Sequence, residues 1–183
     1  MRRLLAALAL SVALVTTIGG CALVDVIPFG FGGGDSEPYE PSPEELVVPE
    51  RITVVPDDYN TELVGTLADG RHFFLHVTFC DGSTCLATFY WNADGTFDEL
   101  SVEPVADDVD VAPLLDERFS DLDGAFLEPI EVAPFATDHD GEQYGFVPYP
   151  PDPEYPGDIA SVVLEPANNV AYYWPWDGMG YDT

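Results

Sequence analysis

No lysine occurs in the 183 residues of this chain, and five arginines stand against 34 aspartates and glutamates, a formal charge of −29. A surface this negative repels phosphate backbones and anionic head groups, which excludes nucleic acid as an electrostatic partner. Cysteine is nearly as scarce, at three residues, too few for the disulfide framework of a coreless secreted domain. There is no Gly-x-Ser-x-Gly elbow, and the cysteines leave no spare thiol for a nucleophile. The apolar run from Leu4 to Ile18 has only fifteen residues. As a helix it would reach about 22 Å, short of the roughly 30 Å of hydrocarbon that a permanent span must cross. What the chain has in quantity is apolar (46%) and aromatic (13%) side chains. That content supports a buried core and excludes wholesale disorder.

The amino terminus sets Arg2 and Arg3 before that apolar run and ends it with Ile18-Gly19-Gly20-Cys21. The layout is that of a secretory signal peptide over residues 1–20. An aliphatic residue, two small residues and a cysteine resemble the lipobox of prokaryotic lipoprotein precursors. The resemblance covers about 21 residues and implies that Cys21 carries a diacylglyceryl thioether after cleavage before it. Acylation of the new amino terminus would add a further chain and a firm bilayer anchor. The protein is then expected at the cell membrane, lipid-anchored on the extracytoplasmic face, in either a bacterial or an archaeal envelope. Loss of residues 1–20 removes two arginines and no acid, leaving 34 acids and 3 bases, a formal −31. The acidity therefore belongs to the exported part, as salt adaptation or as cation binding.

Residues 21–50 read as a lipidated acidic tether, with Gly32 to Gly34, then Pro38, Pro41 and Pro43 among Glu40, Glu44 and Glu45. From Arg51 to the end the pattern is β, in short apolar runs punctuated by Asp-Gly at positions 69, 81, 94, 123 and 140. Strands are expected over 62–67, 71–80, 86–91, 97–105, 159–164 and 170–174. Residues 51–183 are thus read as an all-β extracytoplasmic domain, an antiparallel meander forming a small sandwich or barrel. At most one short helix is expected, over Pro113 to Leu122, with Asp123-Gly124 ending it. In the 71–80 run Phe73, Leu75, Val77 and Phe79 are taken to face the core, with His72 and His76 toward solvent. The prolines from Pro148 to Pro156 mark a stiff loop.

Cys80 and Cys85 bracket a four-residue loop, Asp81 to Thr84, so that they would face each other across a hairpin. Export to an oxidising space lets them form a disulfide. His72 and His76, four strand residues and about 13 Å apart, cannot share a zinc whose bonds are about 2.1 Å. The stretch Asp138-His139-Asp140-Gly141-Glu142 is read as an acidic turn, with weak calcium binding as the alternative. An EF-hand register would put Ala136 first and Val147 twelfth. No metal site and no cofactor are expected.

Tyr172, Tyr173, Trp174, Trp176, Met179 and Tyr181 crowd the carboxyl end. Strand alternation assigns Tyr172 and Trp174 to the core. Trp176 and Tyr181, in a Gly-rich stretch, are the candidate partner-binding residues. The expected function is a noncatalytic binding or interaction module whose partners are the bilayer, through acylated Cys21, and an envelope protein or glycan. The alternatives are a solute- or cation-binding envelope component, and a small hydrolase acting through paired carboxylates.

Overall fold

The computed structural model describes residues 39–58, 60–167, 169–178 and 180–181. Pro38–Thr183 make one compact unit. The first sheet runs in the order β5-β4-β3-β2-β6. Its strands are β2 (Leu63–Thr66), β3 (His72–Cys80), β4 (Ser83–Trp91), β5 (Phe97–Pro104) and β6 (Phe126–Leu127). The second sheet runs β12-β11-β10-β9-β8. It contains β8 (Thr137–His139), β9 (Glu142–Tyr149), β10 (Ser161–Glu165), β11 (Ala171–Tyr172) and β12 (Gly180–Tyr181). A two-stranded ribbon pairs β1 (Ile52–Val54) with β7 (Ile130–Val132). All described pairings are antiparallel, and neither sheet closes into a barrel.

The sheets pack face to face through aromatics. Phe74 and Phe89 of the first sheet meet Phe146 of the second at ring separations of 5.7 and 6.4 Å, and Trp91 meets it at 5.9 Å. Ile52, Val54, Ile130 and Val132 of the ribbon are buried in the same core, beside Val64, Val162, Leu164 and Tyr172. A helix, α1 (Val111–Asp121), covers the outer face of the first sheet. Val111, Leu114, Leu115 and Phe119 recur at helical spacing and pack on Leu75 and Leu86. Asp110 caps the helix, its carboxylate accepting the Ala112 N–H at 3.3 Å, and Pro113 falls in the first turn, where its missing donor costs nothing. At the far end Arg118 forks onto both oxygens of Glu103 at 2.7 Å, fastening the helix to β5. Among the described residues no helix is long and apolar enough to cross a membrane.

The helix overturns one expectation. β3 is buried on both faces: α1 packs on Leu75 and Phe73, while on the other face Phe74 meets Phe146 of the second sheet and His76 and Thr78 are buried as well. His76 is therefore not on the solvent side but 9% exposed, whereas Phe79 is exposed. The hairpin at 81–84 also differs. β3 and β4 are joined by a two-residue turn at Asp81-Gly82, with φ of 49° and 75°, matching the type I′ geometry that suits twisted strands. In this register Cys80 opposes Ser83 and Cys85 opposes Thr78, so the two cysteines meet diagonally rather than directly. Their sulfurs are bonded, with Cα atoms 5.9 Å apart, inside the usual disulfide range. Pro148 is likewise within β9, opposite Val162, rather than in a loop. Residues 39–50, placed with the tether on composition, belong to the compact unit. Cys21 lies outside the described residues.

Candidate functional site

Two short segments meet to build the principal surface feature. The first begins with a turn in which the Ser42 N–H donates to the Glu45 carboxylate at 2.7 Å and the Glu45 N–H returns to the Ser42 carbonyl at 3.1 Å. The Tyr39 hydroxyl also donates to Glu45. These bonds, Tyr39 first, hold the Glu45 carboxyl below its ordinary pKa. The Glu45 carbonyl accepts the N–H of buried Ala160 at 2.7 Å, which fixes this turn against the start of β10. From there Val47, Val48, Pro49 and Glu50 lead into β1.

The second segment is Trp174-Pro175-Trp176, beyond β11. The Trp176 N–H donates to the Tyr173 carbonyl at 2.8 Å, and the Trp176 carbonyl accepts from the Thr53 N–H of β1 at 3.1 Å. Trp176 is held at φ 65°, a left-handed conformation that a bulky residue adopts only at a cost. Gly178, at φ 92°, passes so close to Val55 and Thr53 that a side chain there would collide with them. Trp176 rests partly buried against the main core, while Trp174 projects with 48% of its surface exposed.

Between them lies an open groove of about 450 Å³, walled by Pro43, Glu44, Val47, Val48, Pro49, Glu50, Trp174 and Trp176. Among the described residues its lining is mainly apolar, with two carboxylates and no base. The arrangement sets two indoles and two carboxylates around one groove, the elements of a recognition surface.

Of the residues singled out from sequence, Trp176 lines this groove. The backbone of Tyr181 pairs with Ala171 in β12, and its side chain lies outside what the structure describes. The expectation that both Tyr172 and Trp174 are core holds only for Tyr172, which is buried edge-on to Phe146 at 5.7 Å. The chain leaves β11 after Tyr172, so alternation no longer governs Trp174. Sequence reasoning missed Trp174 and the wall from Pro43 to Glu50. A signal was present in the Trp-Pro-Trp triplet, since a proline there interrupts a strand.

The disulfide sits at one end of the sandwich, by a cavity of about 160 Å³ lined by Cys80, Asp81, His139, Asp140, Glu142 and Tyr144 among others. Asp138 to Glu142 form the expected turn. Asp140 and Gly141 have φ of 54° and 86°, and the Asp138 carboxylate accepts the Gly141 N–H at 3.3 Å. Among the described residues no group of three or more His, Cys, Asp or Glu is placed to hold a metal ion.

His76 is a buried histidine on β3. It stacks on Phe74 at 5.3 Å, and its Nε2 has no hydrogen-bond partner among the described residues. Burial pushes its pKa down from 6.5 to about 4, against a smaller upward effect from the Asn60 backbone. His72, by contrast, meets the Thr66 hydroxyl at 3.0 Å near the surface.

Comparison of the chain with protein-family models, with curated proteins and with solved structures returned no match.

Proposed function

We propose that this chain is an extracytoplasmic lipoprotein, anchored through acylated Cys21, whose β-sandwich acts as a noncatalytic binding module with the Trp174–Trp176 groove as its contact surface. The observation that carries the reading is the exposure of Trp174 beside the conformationally costly Trp176, in a groove of about 450 Å³. Costly backbone conformations persist where the surrounding structure enforces them, and they concentrate at binding sites. Large exposed aromatics are the residues that most often dominate contact energies. Seventeen residues lie between Cys21 and Tyr39. Fully extended, that length reaches about 60 Å, enough to carry the groove clear of the head groups.

Two experiments test the reading separately. The anchor is tested by mass spectrometry of the amino-terminal peptide, which should start at Cys21 and carry a lipid; an unmodified cysteine would refute it. The binding surface is tested by exposing immobilised full chain and its Trp174→Ala variant to envelope extract separated into protein and glycan fractions. Retention of one fraction that the variant loses supports the groove, and equal retention places recognition elsewhere.

A further inference from the structure

The chemistry of the groove specifies its occupant more closely. Resting on the reading of this groove as the contact surface, we infer that it receives an arginine side chain from a segment of a partner protein.

The lining side chains are two tryptophans, valines, prolines and the carboxylates of Glu44 and Glu50. Apart from the indole N–H groups, every polar side-chain atom there is an acceptor. A sugar presents hydroxyls that both donate and accept, and it is best held by mixed groups such as amides, none of which lines the groove among the described residues. A guanidinium has five donors and no acceptor, and its flat, weakly hydrated face stacks on indole.

The carboxylates of Glu44 and Glu50 are exposed and not engaged with other described residues. The nearest base in sequence, Arg51, instead reaches the Glu131 carbonyl at 3.5 Å. The wider charge acts in the same direction. A chain of −29 attracts basic segments from a distance and repels anionic ones. Lysine would satisfy the charge but not the planar stacking, so arginine is the better match.

The test uses the full chain in nonionic detergent and follows the three tryptophan indole N–H signals by NMR, with buried Trp91 as the internal reference for folding. The probes are acetyl-Gly-Arg-Gly-Arg-Gly-amide, the same peptide with citrulline for arginine, and chitotriose as a neutral glycan. The arginine peptide is expected to shift the Trp174 and Trp176 signals saturably and to leave Trp91 unmoved. Citrulline for arginine, or the Glu44→Gln, Glu50→Gln double variant, should weaken binding about five-fold or more, and added salt should weaken it too. Equal binding of the citrulline peptide would overturn the inference. Binding of chitotriose without the peptide would also overturn it while keeping the groove as the contact surface. Concentration-dependent shifts without any probe would assign the groove to a second copy of the chain, again against the inference. No shift with any probe, together with equal envelope retention by the Trp174→Ala variant, would remove both readings.

Discussion

The N–H of Ala160 donates to the carbonyl of Glu45 at 2.7 Å, across more than a hundred residues of chain. Through this bond a proline-rich segment that composition assigns to the tether becomes one wall of the groove. A chain beginning at residue 51 would leave the buried Ala160 N–H without its partner, a loss of about 1–3 kcal/mol. Its melting temperature should fall on the order of 5 °C below that of a chain beginning at residue 38. Equal melting temperatures would show that the segment does not stabilise the sandwich.

His76 gives the fold a pH dependence of definite sign. Its folded pKa of about 4 lies below the ordinary 6.5, so between these values the unfolded chain takes up a proton that the native state refuses. Stability is full above about pH 6.5, declines as the pH falls toward 4, and loses no more from this residue below that. The total is about 3 kcal/mol. Glu62, Asn60 and Asn169 line the same cavity as His76. The lowered carboxyls of Glu45, Asp69, Asp94 and Glu103 also lose their stabilising effect on acidification, but at lower pH. Because those groups are common to both proteins, urea titrations of wild type and His76→Phe across this range isolate the histidine. The wild-type slope should exceed that of the variant, and parallel curves would contradict the assignment.

Gly65 tests how tightly the first sheet is built. It pairs with Phe73 on one side and Leu127 on the other, and a Cβ there would collide with the Phe126 carbonyl oxygen. Gly65→Ala should cost about 1–3 kcal/mol by displacing β6. Hydrogen exchange at Phe126 and Leu127 should accelerate before the rest of the sheet loosens. Unchanged exchange at both amides would show that β6 absorbs the methyl group.

Tyr172 and Trp174 are two residues apart and should behave oppositely. Tyr172→Ala opens a hole beside Phe146 in the main core and should cost about 3 kcal/mol or more. Trp174→Ala removes a half-exposed ring and should change stability by about 0.5 kcal/mol or less. Paired denaturation curves decide this; a large loss from Trp174→Ala would make that ring structural and weaken its assignment to binding.

Sequence alone determined the β class, the Asp-Gly turns, the α1 helix to within two residues at its start, and the pairing of Cys80 with Cys85. Each follows from local physics: alternation along a strand, left-handed turn residues, capping and loop closure are set by neighbours in the chain. The tertiary structure decided which faces are covered. His76 looks like a solvent-side residue until α1 takes the opposite face of β3 and leaves it buried beside Phe74. Trp174 looks like core until the strand ends at Tyr172, two residues short of it. The groove joins residues 43–50 to 174–176. No periodicity connects segments so far apart in sequence, and only the folded chain brings the two tryptophans and the two glutamates to one surface.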